Sequence, residues 1–168
     1  MDYKLITKEL QENGYCVIPN ILSEVEIEYA KSEFKKWQET IPDHDIMHNK
    51  IDPHGIYKYH RAGHTRHAWF IRTRPQIQDV FKHIWNTDEL VVSFDGSCYM
   101  PHELNKVDRN EWMHTDQTSS SEKDCIQSWV SLTNNSKRVL TVIEGSHLEH
   151  GDYFQDNNIE YTSRNWLK

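Results

Sequence analysis

Glu111-Trp112-Met113-His114-Thr115-Asp116 is the stretch on which the reading of this chain turns. Its aromatic content and the polar segments on either side mark a β-strand, in which alternate side chains leave on one face. His114 and Asp116 then share a face, and Thr115 points away. An imidazole and a carboxylate converging on one point suit iron. A triad of two histidines and one carboxylate takes one side of octahedral Fe(II) and leaves the other positions for a bidentate cosubstrate and dioxygen. The third ligand, another histidine, must come from elsewhere in the fold. The bare spacing carries no weight: 11 His and 12 Asp in 168 residues give about 0.8 His-x-Asp occurrences by chance. Two are present, and the second, His150-Gly151-Asp152, lies in a polar, glycine-interrupted stretch without a β pattern. By itself the first also fits a strand histidine hydrogen-bonded to its neighbouring aspartate.

Further strands are expected on both sides of this stretch. Cys125 to Leu132 and Val139 to Ile143 follow it, the first reached through the polar segment Thr118 to Asp124. Before it, Leu90 to Phe94 and Cys98-Tyr99-Met100 flank an Asp95-Gly96 turn, one strand is expected near Ile56-Tyr59, and Tyr15 to Ile18 reads as a strand ended by Pro19. Helices come earlier in the chain. Thr7 to Asn13 has helical composition and is followed by Gly14 where a left-handed cap would sit. Ser23 with Glu26 three residues on is a capping box, and Ile27, Ala30, Phe34, Trp37 and Ile41 follow at helical steps. Pro75 suits the first position of a further helix, with Ile77, Val80, Phe81, Ile84 and Trp85 on one face and Asn86-Thr87 at its end. Pro42 to His67 holds no periodicity and reads as loop. Helices first and strands after indicate an α+β fold with an antiparallel core, and no linker divides residues 1–168, so a single domain is expected.

Nineteen Lys and Arg against 26 Asp and Glu leave a net charge of −7, with no basic run to track a phosphate backbone, which argues against nucleic acid as a partner. Met1-Asp2-Tyr3-Lys4-Leu5 lacks the basic and apolar regions of a signal peptide, and no apolar run approaches the roughly 20 residues that span a bilayer. No membrane association and a cytoplasmic location are expected. Cys16, Cys98 and Cys125 are odd in number and widely spaced in apolar contexts, which predicts buried free thiols.

Four segments in order, Gly14-Tyr15-Cys16-Val17-Ile18-Pro19 before a helix, Trp112-Met113-His114-Thr115-Asp116-Gln117, Gln127-Ser128-Trp129-Val130-Ser131-Leu132, and Val142-Ile143-Glu144-Gly145-Ser146-His147, resemble the phytanoyl-CoA dioxygenase-like family. Gly63-His64, Trp69-Phe70-Ile71-Arg72, Ile84-Trp85-Asn86-Thr87 and Leu90 to Gly96 resemble its microbial, fungal and viral branch. The resemblance implies a double-stranded β-helix, the cupin-like jelly roll of Fe(II)- and 2-oxoglutarate-dependent oxygenases, with N-terminal helices. It implies His114 and Asp116 as iron ligands, 2-oxoglutarate as cosubstrate, and hydroxylation of a small-molecule C–H bond with dioxygen. A retained Asp116 favours hydroxylation, because halogenating relatives carry a small residue there. Trp129 matches a family position for an aromatic beside the cosubstrate; as a residue it fits a core tryptophan on a strand equally well.

In the family the distal histidine, and the arginine that pairs with 2-oxoglutarate, come several strands after the Gly-Ser-His segment. Here 21 residues follow His147; they contain His150 and Arg164 but no strand pair, and Asn134 to Arg138 lacks the Gly-rich acidic turn common in the family. The jelly roll is therefore expected to be incomplete at its C-terminus. His147 matches a structural histidine of the family, and His150 would need the chain to fold back to reach the iron. Three readings follow: a piece of a full oxygenase, a short relative that binds without catalysis, or half of a split protein whose sheet a second chain completes. A rival from another class is a zinc site among His44, His48, His54, His60, His64 and His67, which crowd the segment before Trp69 without an accompanying cysteine. Arg72 is expected either to orient an anionic substrate or to brace Asp95.

Overall fold

In the computed structural model the described residues are 1–42, 55–57, 59–92, 96–99, 114–116, 125–134 and 139–157. They form two compact units, one of residues 1–17 with 109–168 and one of residues 18–108.

The second unit is built on helix α2, Glu24–Gln38. Ser23 accepts from the Glu26 amide while the Glu26 carboxylate accepts from the Ser23 amide, so two of the four orphan donors at the helix start are satisfied reciprocally. Its apolar stripe is the expected one: Ala30 and, just past the helix, Ile41 are buried, and Phe34 and Trp37 pack against a core of Ile41, Tyr57 and Ala62. Phe34 is the hub. Its ring centroid lies 5.6 Å from Trp37, 6.3 Å from Tyr57, 5.5 Å from Tyr99 and 5.1 Å from His67, tilted or edge-on, as ring quadrupoles prefer. Trp37 also donates its indole N–H to the His60 carbonyl at 3.0 Å.

A 3-10 turn at Ala62–His64 leads into helix α3, Arg66–Arg72, with Thr65 as N-cap. Both lie in or at the edge of the span expected to be loop. Gly63 and the scattered histidines hide the periodicity, and the helix is short enough that its start is marked by Thr65 alone. Helix α4, Pro75–Trp85, runs as expected from Pro at its first turn to Asn86 in the left-handed conformation. Glu26 ties α2 to this region through Gln76, which donates to both carboxylate oxygens at 3.2 Å, and through Arg74 at 3.7 Å. The hydrogen bond from the Ser23 amide, then those from Gln76 and the Ser23 hydroxyl, hold the Glu26 carboxyl below its usual range. Ile56–Tyr57 (β1) pairs antiparallel with Ser97–Cys98 (β2), Ile56 opposite Cys98 and Tyr57 opposite Ser97.

In the first unit, helix α1 spans Tyr3–Asn13 rather than beginning at Thr7, because Asp2 caps it by accepting from the Leu5 amide at 3.1 Å. Its other end is closed by a distant part of the chain. Gly14, at φ +83°, donates to the Leu10 carbonyl; the Gly145 amide donates to the Asn13 carbonyl at 3.0 Å; and His147 Nε2 donates to the Gln11 carbonyl at 3.0 Å. Three of the four orphan carbonyls are thus met. Helix α5, Ser146–Asp156, follows and buries Phe154.

The jelly roll expected from the resemblance is not what the described residues display: they are helix-rich, with one two-stranded sheet. Residues 15–18, 90–92, 125–132 and 139–143 have no strand pairing. Their β-branched and aromatic content expresses fitness for a pleated, half-buried surface, which becomes a strand only beside a neighbour. Helix α5 also breaks the expected order of helices before strands. The expectations for 93–95, 100–113, 117–124, 135–138 and 158–168, among them those for Trp112, Asp95 and Arg164, lie outside the described residues. The thiols depart from expectation too. None of the three is in a disulfide, but Cys98 and Cys125 are exposed, and only Cys16 is partly buried, which raises its pKa with help from Glu9.

Candidate functional site

His114 sits in a single-residue β-bridge, half-buried, and Asp116 two residues on is exposed. Their side chains converge as the alternation of an extended backbone requires. His114 Nε2 lies 3.3 Å from Asp116 Oδ1. The second carboxylate oxygen, Oδ2, accepts a hydrogen bond from the side-chain amide of Gln127, eleven residues along the chain. One side-chain hydrogen bond thereby links residues 114–116 with 125–134. Gln127 was not singled out as a site residue in the sequence, although it opens one of the quoted family segments; its place beside Asp116 is a side-chain contact across eleven positions, which local sequence does not encode.

Imidazole nitrogen and carboxylate oxygen bind divalent metals at about 2.0–2.2 Å, so two such atoms in neighbouring octahedral positions stand about 3 Å apart. The 3.3 Å separation fits such a pair. The donor chemistry fits iron as well, and no third ligand joins them: among the described residues no three His, Cys, Asp or Glu side chains form a metal cluster.

His147 is the Gln11 partner that closes α1, and its Nδ1 lies within 2.5 Å of where a side chain on Gly14 would begin. This is a structural role, taken from the first turn of α5 and not from the end of a strand. His150 lies on α5 with its ring 4.9 Å from that of Phe154. Trp129 is 51% exposed and outside any strand.

The histidine-rich segment does not gather into a site among its described members. His44, His48 and His54 lie outside the described residues; His60 and His64 are exposed. His67 is 3% exposed and turns into the aromatic core, its Nε2 2.7 Å from Ser97 Oγ and its Nδ1 buried without a partner among the described residues. Burial, and secondarily the Arg72 charge, push its pKa down to about 4. Arg72 donates to the Gly63 carbonyl at 2.7 Å and its guanidinium lies 5.4 Å from the Trp69 ring centroid, so it braces the turn before α3.

The family described as phytanoyl-CoA dioxygenase (PhyH) matches residues 10–167. Ava biosynthesis cluster protein O of Aspergillus versicolor is 23% identical over 170 residues, covering 94% of this chain and 55% of that protein. The chain thus spans about half the length of the curated relative it matches. No solved structure matches it. Among the described residues no helix is long and apolar enough to cross a membrane.

Proposed function

The chain belongs to the phytanoyl-CoA dioxygenase family, and on that premise we propose that it carries the iron-binding face of an oxygenase that hydroxylates a C–H bond of a small molecule. The family is one of cupin-type jelly-roll oxygenases dependent on Fe(II) and 2-oxoglutarate. When bound, the iron couples oxidative decarboxylation of 2-oxoglutarate to succinate and carbon dioxide with transfer of one oxygen atom of dioxygen to the substrate. The observation that carries the reading is the convergence of His114 Nε2 and Asp116 Oδ1 at 3.3 Å.

In this reading His114, through its Nε2 lone pair, and the Asp116 carboxylate hold the metal, while Thr115 plays no part in ligation. Asp116 keeps the position that a halide would need, which favours hydroxylation. Trp129, two residues beyond Gln127, presents a half-exposed ring that suits packing against bound 2-oxoglutarate. The exposed apolar run Val139 to Ile143 supports a sheet completed by further strands, from a second chain or from a longer form of this one. Because the family match runs across both compact units without a break, we read residues 1–168 as part of a single domain.

Equilibrium Fe(II) binding under anaerobic conditions tests the reading. Wild-type chain should retain iron, and His114→Ala and Asp116→Ala should each abolish retention. Binding that survives both substitutions would place the metal elsewhere and sink it.

A further inference from the structure

We infer that Gln127 is a positioning residue for the metal: it occupies Asp116 Oδ2 so that Oδ1 alone is presented, on the side of His114. The inference rests on the proposed iron face and extends it to a residue outside the ligand set.

A carboxylate has two oxygens and a freely turning terminal torsion, so an aspartate on an extended segment can offer either oxygen, or both, to a cation. At Asp116 that freedom is removed from one side. The Gln127 side-chain amide reaches Oδ2, and Oδ1 is left 3.3 Å from His114 Nε2. The direction of this hydrogen bond follows from chemistry, because an ionised carboxylate only accepts, and the NH2 end of the amide must face it. A neutral donor also suits the place. A lysine or arginine there would hold the carboxylate but set a second positive charge beside the cation, whereas an amide fixes the oxygen without competing for it.

Gln127 and Asp116 are exposed, so this contact contributes little to folding, since water can replace either partner. Its effect belongs to ligand geometry. Outer partners of metal-ligating groups change affinity by about 10–100-fold, and an exposed one belongs at the lower end of that range.

The test is a Co(II) titration of the full 168-residue chain, followed by visible absorbance, for wild type, Asp116→Ala, His114→Ala and Gln127→Met. Methionine keeps the length of the side chain and removes the donor; Gln127→Ser repeats the test with a small polar residue should the methionine variant fold poorly. Expected are loss of binding in both ligand variants and about ten-fold weaker binding with a shifted absorbance band in Gln127→Met. The metal-free unfolding midpoint should stay at the wild-type value. Wild-type affinity and spectrum in Gln127→Met, with Asp116→Ala still defective, overturn the inference and leave the iron face standing. No binding by wild type, or full binding by Asp116→Ala, overturns the iron face and the inference together.

Discussion

Residues 18–108 hold an aromatic cluster, whereas the described part of residues 1–17 and 109–168 shows polar contacts at one helix end. In the first case Phe34, Trp37, Tyr57 and His67 meet ring against ring, Ile41 and Ala62 belong to the same core, and Leu22, Ala30 and Val80 are also buried in this unit. In the second only Ile6 and Phe154 are buried apolar residues among those described, while Trp129, Val139, Leu140, Val142 and Ile143 are exposed. The comparison separates two ways of ordering a chain. A helix closes its hydrogen bonds within itself and needs only one apolar stripe covered; a strand leaves its N–H and C=O groups to a neighbour. The candidate site lies outside the helices.

The sharpest test of the contrast is Phe34→Ala, which removes the hub of the aromatic cluster. Large-to-small changes at such positions cost about 3–5 kcal/mol, and the lower end applies because Phe34 is only partly buried. Denaturant unfolding followed by tryptophan fluorescence should register the loss. A cost under about 1 kcal/mol, within the ordinary run of point substitutions, would mean that the cluster does not hold this unit together.

Acidification attacks the same cluster. The folded form keeps His67 neutral, with a pKa pushed down to about 4 from the ordinary 6.5, so the unfolded chain takes up this proton first as pH falls. The stability contributed by neutral His67 is complete above pH 6.5 and is lost progressively as pH drops from 6.5 towards 4. Arg72 adds to the effect, and Glu33 opposes it. Wild type should therefore destabilise more steeply than His67→Phe across that window; parallel stability profiles would remove His67 from the account.

The polar clasp of the other unit has its own test in Gly14→Ala. A left-handed backbone costs an L-residue about 1–2 kcal/mol, and the new methyl would also meet His147 Nδ1 at 2.5 Å. The doubly substituted Gly14→Ala/His147→Ala chain should recover the steric part but not the backbone part. Strict additivity of the two single effects would show that Gly14 and His147 do not touch.

How much of this was legible in the sequence follows the same division. Ser23, Glu26, Pro75 and Asn86 are local signals with local physics: α2 begins where Ser23 and Glu26 place it and α4 runs from Pro75 to its cap at Asn86, whereas the helical steps expected through Ile41 pass the end of α2 at Gln38. The His114 and Asp116 convergence was legible for a similar reason, since two residues on one extended stretch need no distant partner to share a face. Gln127 was not, because its approach to Asp116 crosses eleven positions and depends on how two separate segments come together. Helix α3 was hidden by Gly63 and the mixed polarity of Arg66 to Arg72. The strand readings at 125–132 and 139–143 recognised suitable residues but assumed neighbours that the sequence pattern cannot supply.

The smallest expected effect tests that last point, through Leu140→Ser. Leu140 is 66% exposed, and Val139, Val142 and Ile143 beside it are also exposed. Removing an apolar side chain that water already reaches forfeits little transfer free energy, so the change should lie within about 0.5 kcal/mol of zero. It should also reduce self-association at high protein concentration, because an unpaired β-branched run is a template for pairing with another copy or another chain. Both readings come from one sedimentation and one unfolding experiment. A destabilisation above about 2 kcal/mol, the size expected for emptying a packed site, would mean that the run is covered in solution. The division between a closed unit and an open one would then fall, and the strands missing from the sheet would have to be sought within this chain.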